Sequence, residues 1–396
     1  MRLSMRVGAA LIAIMTVATG CGDDDRSATP AIDLNQLDTG NYQTTPRDPE
    51  ISKADDTGQA IEAVRLGATV PLPYDVDRSY GFQRLSTPVA RITSQIPGSI
   101  TAIDDDKFPS VTEGLVVGWD TSGERRIQPF LGRQAWIYVY RFGTEAQATT
   151  AAQRIPATQQ ERRPGSKVEI PGFPDSRSSW AGDTLDSWMS RGTMVFGVRL
   201  EDPMTEPADP AAAIDFTRKA YTKIIEMHED YVPTPVDQIP ALPIDIDGML
   251  SRTLPSNKDL WVGKRPVGAV ETAQAALAYD DRPGTTKPAL IDAGVDLVSS
   301  DSSYFRVYRA SDPKATQRLQ AGLLAPHLDF LKPIDGPRNL PHAACYDRKD
   351  DTMRTYGYRP ICYVAYDRYL ARVTGMNVQD VLQRASAQYK LLAVDR

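Results

Sequence analysis

An internal duplication constrains the fold of this chain more than any other feature of its sequence. When the second half is slid over the first, Val139-Tyr140-Arg141 coincides with Val307-Tyr308-Arg309. The same shift places Thr144 on Asp312, and both residue types cap the N-terminus of a helix. Two further coincidences at this shift are Asp209 with Asn377 and Tyr221 with Tyr389. The repetition at a single shift indicates two copies of one structural unit.

Each copy is predicted to contain antiparallel strands. Residues 115–119 and 135–140 are typical of two strands joined by a polar connection, which indicates an antiparallel pair. Two hairpins are predicted in equivalent places, with arms 185–189 and 194–200 in one half and 361–365 and 369–373 in the other. Strands grouped between helices favour an α+β fold of two related domains, each an antiparallel sheet with helices packed on one face.

Apolar spacing predicts three helices near the beginnings of the two halves. They cover residues 57–66, 87–96 and 267–278. Pro88 and Pro266 suit the first turns of the second and third helices. We expect 87–96 and 267–278 to be equivalent elements of the duplication.

The first 21 residues predict export. Arg2 and Arg6 precede an apolar run of about a dozen residues, which is too short to span a membrane. The run ends in Val17-Ala18-Thr19-Gly20-Cys21, which resembles the bacterial lipobox, with alanine where leucine is usual. The resemblance implies cleavage before Cys21 and a diacylglyceryl group on it, and two or three acyl chains anchor a protein essentially permanently. The alternative is ordinary signal cleavage, with Cys21 left as a free thiol.

Composition divides the chain into five regions. Residues 1–20 are the predicted signal peptide, and residues 21–56 are predicted to be a disordered acidic tether. An N-terminal α+β domain is predicted at 57–235 and a C-terminal α+β domain at 266–396. Residues 236–265 are predicted to be a Pro-rich linker and domain entry.

The mature chain is acidic. Removing residues 1–20 lowers Lys plus Arg from 45 to 43 against 51 Asp plus Glu, so the net charge changes from −6 to −8. This balance disfavours nucleic acid as a partner and disfavours a polybasic contact with anionic lipid. The predicted membrane contact is therefore the acyl group on Cys21, on the outer face of the cytoplasmic membrane.

Two cysteines remain when Cys21 is set aside, and they are Cys345 and Cys362. In an oxidising compartment we expect them to form a disulfide. The predicted strands place Cys345 before the last hairpin and Cys362 on its first arm, so the bond is expected to join neighbouring strands or a strand and a loop. Closing a loop of this length stabilises by roughly 3 kcal/mol in the chain-entropy account. The alternative is two buried free thiols.

Four acidic clusters are candidates for a metal site or a carboxylate pair. They are Asp104-Asp105-Asp106, Asp245-Ile246-Asp247, Asp280-Asp281 and Asp350-Asp351. A calcium loop that starts at Asp245 has Ser256 at its twelfth position, where a bidentate glutamate is needed. We therefore expect solvated turns, and we predict no metal and no cofactor.

Histidine chemistry is scarce. The three histidines are His228, His327 and His342, and their spacing is not that of zinc ligands. The sequence also lacks the Gly-x-Ser-x-Gly pattern of a serine nucleophile. We expect His342 to have a packing or surface role, and an imidazolium at His228 would suit the C-terminus of its helix. The chain is therefore predicted not to be an enzyme.

Aromatic residues form the candidate ligand-binding face. The candidates are Trp136, Tyr138, Tyr140, Tyr363 and Tyr366. Alternating aromatic residues on a strand can form a platform for a sugar or another ligand. The alternative is that tyrosine simply suits half-buried strands. The platform would gain support if Trp180 and Trp188 lay in the same groove.

Several of these features together resemble a known family. They are the lipobox, the duplicated Val-Tyr-Arg strands, the Cys345 and Cys362 pair, and the ending Ala385-Ser386-Ala387-Gln388-Tyr389-Lys390-Leu391-Leu392. Over most of its mature length the chain is similar to actinobacterial envelope lipoproteins of unknown function from mycobacteria, nocardiae and rhodococci. The resemblance implies a duplicated α+β domain and no catalytic residue.

We expect an extracytoplasmic, non-catalytic lipoprotein that binds an envelope ligand or a protein partner. The cleft between the two domains is the expected place, because ligands commonly bind at domain interfaces. Two alternatives stay open, a hydrolase that acts on cell-envelope polymers through acidic residues and a purely structural envelope component. The sequence makes no prediction about the oligomeric state.

Overall fold

The structure is a computed structural model of the whole chain. It describes residues 32–83, 91–94, 97–128, 131–255, 268–301, 305–355 and 357–394. The predicted signal peptide and Cys21 lie outside these ranges, as do six of the ten residues of the predicted helix 87–96. None of the helices in the described ranges is both long enough and apolar enough to span a bilayer.

One antiparallel sheet of seven strands forms the N-terminal domain. Its strands are β1 Arg91–Ile92, β2 Leu115–Glu124, β3 Gln134–Phe142, β4 Ser166–Val168, β5 Arg177–Ala181, β6 Thr184–Arg191 and β7 Met194–Glu201. Their order across the sheet is β1-β2-β3-β7-β6-β5-β4, and all neighbours are antiparallel. The predicted pair 115–119 with 135–140 and the predicted hairpin 185–200 are confirmed.

A second antiparallel sheet of seven strands forms the C-terminal domain. Its strands are β8 Ala269–Thr272, β9 Leu297–Asp301, β10 Phe305–Arg309, β11 Leu331–Ile334, β12 Ala344–Arg348, β13 Ile361–Tyr366 and β14 Tyr369–Thr374. Their order is β11-β12-β13-β14-β10-β9-β8. Taken from β8, this order repeats that of the first sheet strand for strand. The predicted α+β fold of two related domains is confirmed.

The helices also repeat. They are α1 Thr57–Gly67, α2 Pro73–Val76, α3 Phe108–Val111, α4 Glu145–Arg162, α5 Ala211–His228, α6 Ala273–Ala276, α7 Pro283–Asp292, α8 Pro313–Leu324, α9 Thr352–Thr355 and α10 Val378–Ala393. Helices α4 and α8 follow equivalent strands, as do α5 and α10. The predicted caps begin α4 and α8, since Thr144 accepts a hydrogen bond from Gln147 N at 3.2 Å and Asp312 accepts one from Ala315 N at 2.9 Å.

Helices cover both faces of each sheet, whereas the sequence predicts helices on one face. Tyr138 and Tyr140 of β3 pack with Ile155 of α4. Ile137 and Val139 of the same strand point the opposite way and join the core formed by α1 and α5. The C-terminal sheet is covered by α7 and α8 on one face and by α10 on the other. Because both faces are buried, the central strands carry continuous apolar runs.

Two predicted helices contain edge strands. Within the predicted helix 87–96, residues Arg91–Ile92 form β1 and pair with Trp119 and Gly118. Within the predicted helix 267–278, β8 occupies Ala269–Thr272, and a helix begins only at Ala273. Pairing with a neighbouring strand satisfies the backbone and buries the apolar side chains, so tertiary contacts override the helical spacing. The two segments are nevertheless equivalent elements of the duplication.

The predicted tether differs from the structure in its second half. Residues 32–48, which we call the strap, lie across the C-terminal domain. Tyr42 accepts a hydrogen bond from Arg384 Nε of α10 at 2.9 Å, and Arg47 forms a buried ion pair with Asp301 of β9. The polar composition of the strap hides these few contacts, which explains why the sequence predicts disorder.

The two domains are in direct contact. Ile239, in the 3-10 helix Val236–Ala241, packs in the N-terminal core, whereas Met249 packs in the C-terminal core. Across the domain boundary, Trp119 meets the ring of Tyr279 edge-on, with centroids 5.9 Å apart. The predicted interdomain cleft is therefore filled by side chains at this position.

Candidate functional site

The five predicted ligand-face aromatics do not form one exposed surface. Tyr138, Tyr140 and Tyr363 are each no more than 2% exposed. Trp136 and Tyr366 are half-buried but belong to different domains. Buried tyrosines here fill the core on one face of each sheet, which corrects the prediction of a stacking platform for these residues.

The predicted disulfide is confirmed. Cys345 of β12 and Cys362 of β13 are bonded, and they lie directly opposite each other in the antiparallel register. The bond therefore joins neighbouring strands within the C-terminal core. Cys21, the predicted lipidation site, lies outside the described residues.

The predicted acidic clusters lie in turns and bind backbone or arginine groups. Asp245 accepts hydrogen bonds from Leu250 N and Ser251 N, and Asp350 accepts one from Thr352 N. Across the described ranges, no group of three or more His, Cys, Asp or Glu side chains is arranged to hold a metal ion.

His228 does not carry the positive charge that the sequence predicts at the C-terminus of its helix. It ends α5, where its ring packs against Tyr231 with centroids 4.7 Å apart, and its Nδ1 is 2.9 Å from Thr69 Oγ1. Burial, assisted by the positive charge of Arg191, lowers its pKa to about 4. His228 is therefore neutral at pH 7. His342 is exposed.

Two arginines face each other in the C-terminal sheet. Arg306 of β10 lies directly opposite Arg372 of β14. Tyr308, two residues along β10 on the same face, is buried beneath α8. Both guanidinium groups therefore belong to the α8 side of the sheet. Like charges directly opposite each other destabilise an antiparallel pair, so this pair requires compensation.

The N-terminal domain has different residues at the equivalent positions. There Tyr138 lies opposite Asp120 on one neighbouring strand and Gly197 on the other. The shift that aligns Tyr140 with Tyr308 aligns Tyr138 with Arg306. Sequence reasoning missed the arginine pair because it needed the strand register, although the duplication already marked Arg306 as a place where the halves diverge.

Two carboxyl groups partly compensate the arginine pair. Burial raises the pKa of Glu271 on β8, while the positive charges of Arg91 and Arg306 act to lower it. Asp280 Oδ2 is 4.0 Å from Arg306 Nη1, while Arg306 Nη2 donates to the carbonyl oxygen of Tyr279 at 2.9 Å. The other oxygen of Asp280 accepts hydrogen bonds from Arg282 N and Thr286 Oγ1, each at 2.9 Å. Asp280 is thus held in place by its own turn and contacts Arg306 only at long range.

Arg282 and His327 complete the group. His327 lies close enough to Arg372 and Arg282 for both positive charges to lower its pKa, although burial is the larger cause, and together they bring the pKa to about 4. We call Asp280, Arg282, Arg306, His327 and Arg372 the arginine cluster. It contains three guanidinium groups, and the carboxyl groups whose charges act on Arg306 or Arg372 are Glu271, Asp280 and Asp281.

Several polar nitrogen atoms of the arginine cluster have no hydrogen-bond partner among the described residues. Arg282 Nε and His327 Nδ1 are buried and belong to this group. Arg372 is half-buried, and its guanidinium makes no hydrogen bond to a described residue. The electrostatic neighbours of this guanidinium are two tyrosines and the carboxylates of residues 280 and 281. Buried polar groups are normally paired, so guanidinium donors without a hydrogen-bond partner among the described residues are typical of a site that binds an anion.

A second candidate is a cavity of about 100 Å³ in the N-terminal domain. It is lined by Asp77, Tyr80, Arg125, Arg133, Ala212, Asp215, Phe216 and Lys219. Each cation already has a carboxylate partner, because Arg125 pairs with Asp77 at 2.7 Å, Arg133 with Asp202 at 2.6 Å and Lys219 with Asp215 at 2.7 Å. The arginine cluster is therefore the stronger candidate.

The N-terminal sheet holds two carboxyl groups in unusual environments. Burial raises the pKa of Asp120 well above its ordinary range, and Tyr140 OH donates to it at 3.4 Å. Burial also raises the pKa of Asp186, which Arg199 contacts at 3.2 Å. The strands that carry them, β2 and β6, are three strands apart, which corresponds to roughly 14 Å.

The fold and the cluster define a class of protein with a duplicated α+β unit whose C-terminal copy presents unused guanidinium donors. Two family models match the chain, an N-terminal domain of unknown function (DUF7373) over residues 49–244 and a C-terminal domain of unknown function (DUF7373) over residues 249–395. The chain belongs to the DUF7373 family. The two matches meet between residues 244 and 249. This boundary agrees with the packing, because Ile239 belongs to the N-terminal core and Met249 to the C-terminal core.

Other comparisons add little. A comparison with curated proteins found no match. Among solved structures, the chain is similar to the crystal structure of the extracellular domain of PknH from Mycobacterium tuberculosis, with 13% identity and a TM-score of 0.29. That match covers 47% of this chain and 100% of the other. A TM-score this low supports no conclusion about fold or function.

Proposed function

We propose that this protein is an extracytoplasmic lipoprotein, anchored through Cys21, that binds an anionic envelope ligand at the arginine cluster without catalysing a reaction on it. The observation that carries the proposal is the strand register that sets Arg306 opposite Arg372, together with the Arg372 guanidinium, which makes no hydrogen bond to a described residue. A guanidinium presents a planar fork of donors that matches carboxylate and phosphate. A bound anion would remove the repulsion between the two arginines.

Two features support the extracytoplasmic location, the lipobox near the N-terminus and the disulfide in the C-terminal domain. The lipobox resemblance ends at Cys21, and a disulfide such as Cys345 to Cys362 persists in oxidising compartments. The strap begins at Ile32, eleven residues after Cys21, and a chain of that length reaches at most roughly 40 Å. The C-terminal domain, to which the strap is attached, would therefore stay within that distance of the lipid.

The non-catalytic part of the proposal is supported by the carboxyl groups. Asp120 and Asp186 have raised pKa values. The strands that carry them are roughly 14 Å apart, whereas the paired carboxyl groups of glycosidases are ~5 to 9.5 Å apart. Asp186 is also neutralised by Arg199. This arrangement does not favour the hydrolase alternative.

Anion binding is tested by calorimetry on the full chain in detergent, with inorganic phosphate and acetate at constant ionic strength. The test variant is Arg372→Met. The matched control is Arg154→Met, because Arg154 is exposed on α4 in the other domain, where it pairs with exposed Glu113 and donates to the carbonyl oxygen of Ser110. We expect saturable binding in the wild type and the control and its loss in Arg372→Met. Equal heats in all three proteins would reject the site and favour a purely structural component.

The anchor is tested separately. We expect Cys21→Ala to move the protein from the membrane fraction to the medium, because the acyl group is the proposed membrane contact. If Cys21→Ala remained in the membrane fraction, the lipidation assignment would be wrong, whatever the outcome of the anion titration.

A further inference from the structure

We infer that the anion at the arginine cluster is the acidic group of a saccharide, so the ligand class is an acidic sugar. This inference rests on the proposed function. It adds that the site binds a sugar ring as well as the negatively charged group. The observation behind it is an aromatic edge beside the cluster, formed by Phe330 and Tyr358.

The aromatic edge is built into the cluster. The rings of Phe330 and Tyr358 are stacked, with centroids 4.8 Å apart and an interplanar angle of 26°. Both rings are half-buried, so each still presents part of its surface to solvent. Tyr358 OH accepts a hydrogen bond from Arg282 Nη2 at 3.4 Å, and the ring lies edge-on to His327 with centroids 6.0 Å apart. Guanidinium donors and an aromatic surface therefore lie side by side.

The unbonded nitrogen of His327 favours a ligand with hydroxyl groups. His327 has a pKa of about 4, so at pH 7 its ring is neutral and has one donor and one acceptor nitrogen. Its buried Nδ1 has no hydrogen-bond partner in the part of the chain that the structure describes. A hydroxyl group both donates and accepts, so it satisfies Nδ1 in either tautomer.

A sugar that carries a carboxylate or a phosphate combines the three required features. Its acidic group matches the guanidinium fork, its hydroxyl groups match His327, and the apolar face of its ring packs on an aromatic side chain. A simple anion such as acetate offers only the acidic group. A neutral sugar lacks the acidic group.

The inference is tested by titrating the full chain with acetate, D-glucuronate and D-glucose at constant ionic strength. We expect glucuronate to bind about tenfold more tightly than acetate, the factor that ring packing of this kind provides. We expect glucose to bind more weakly than glucuronate. Phe330→Leu retains apolar volume but removes the flat ring, so it should lower glucuronate affinity to the level of acetate and leave acetate binding unchanged.

Phe173→Leu is the matched control, because Phe173 is a partly buried phenylalanine that packs on Tyr221 in the other domain, with ring centroids 5.2 Å apart. It should retain the tenfold preference. Equal affinity of the wild type for acetate and glucuronate would overturn the inference and leave the proposed anion site intact. If acetate, phosphate and glucuronate all failed to bind, the proposed function would fall together with the inference.

Discussion

Arg306 and Arg372 lie directly opposite each other on adjacent antiparallel strands of the C-terminal sheet. Like charges in this register repel. Burial also acts to lower the pKa of Arg372, but Tyr363, Tyr308 and the carboxylates of residues 280 and 281 raise it overall. Because these effects oppose each other, we predict that Arg372→Met abolishes anion binding and changes the free energy of unfolding by no more than about 1 kcal/mol. Urea unfolding without added anion measures the change in stability. A larger loss of stability in this variant would mean that Arg372 has a structural role instead.

Asp120 provides a test of pH dependence. Burial raises the pKa of its carboxyl group above the value in the unfolded chain, so the folded protein retains a proton that the unfolded chain releases. The stabilising contribution of that proton is complete below about pH 4 and is lost as the pH rises through the folded pKa.

Asp120→Asn removes this titration, because asparagine resembles the neutral acid and can still accept the hydrogen bond of Tyr140. We predict that the variant is more stable than the wild type at pH 8, by on the order of 1 kcal/mol or more, and that the difference shrinks toward pH 4. Thermal unfolding from pH 4 to pH 8 measures it. A constant difference across this range would contradict the prediction.

Glu62 is the centre of a buried network at the edge of the N-terminal domain. It accepts hydrogen bonds from Arg141 Nη1 at 2.6 Å, Tyr231 OH at 2.6 Å and Thr234 N at 3.0 Å. We predict that Glu62→Ala lowers the free energy of unfolding by roughly 3 to 5 kcal/mol, because Arg141 is left buried without its carboxylate. Glu226→Ala, at an exposed position on α5, should change it by less than about 0.5 kcal/mol. Similar effects of the two variants would argue against the network.

The strap is tested at Leu37, which is 5% exposed and packs in the C-terminal core. We predict that Leu37→Ala lowers the free energy of unfolding by about 2 to 4 kcal/mol, because it leaves a cavity. Leu131→Ala is the matched control, since Leu131 is 57% exposed. A disordered tether would make Leu37→Ala as harmless as Leu131→Ala, and chemical denaturation distinguishes the two outcomes.

Local and repeated signals made much of the fold predictable. The shared Val-Tyr-Arg strands and helix caps revealed the duplication, and period-two patterns with turn residues gave the hairpins. The disulfide followed because Cys345 and Cys362 are the cysteines left when Cys21 is set aside. Each of these inferences depends on neighbouring residues or on composition, which the sequence displays directly.

The features that the sequence hid depend on long-range contacts. Ile92 and Val270 have helical spacing, yet strand pairing at the sheet edge decides their conformation. The strap is mostly polar and is held by a few distant contacts, such as Leu37 in the C-terminal core and Arg47 with Asp301. The arginine cluster draws its members from β10, β14, the turn before α7 and the 3-10 helix Ala325–His327 after α8, so it becomes visible only when the register is known.

The titration of His327 tests the central claim most directly. Its pKa of about 4 reflects burial and the nearby positive charges of Arg372 and Arg282, so an anion bound between them should stabilise the imidazolium. The measurement is NMR of histidine ring signals in the full chain, from pH 3.5 to 7.5, with sulfate or with chloride at equal ionic strength.

We predict that sulfate raises the pKa of His327 toward its ordinary value and leaves His228, which also has a pKa of about 4 but lies in the other domain, unchanged. The shift should disappear in Arg372→Met. Titration curves of His327 that superimpose in sulfate and chloride, or that shift equally for His327 and His228, would contradict anion binding at the arginine cluster.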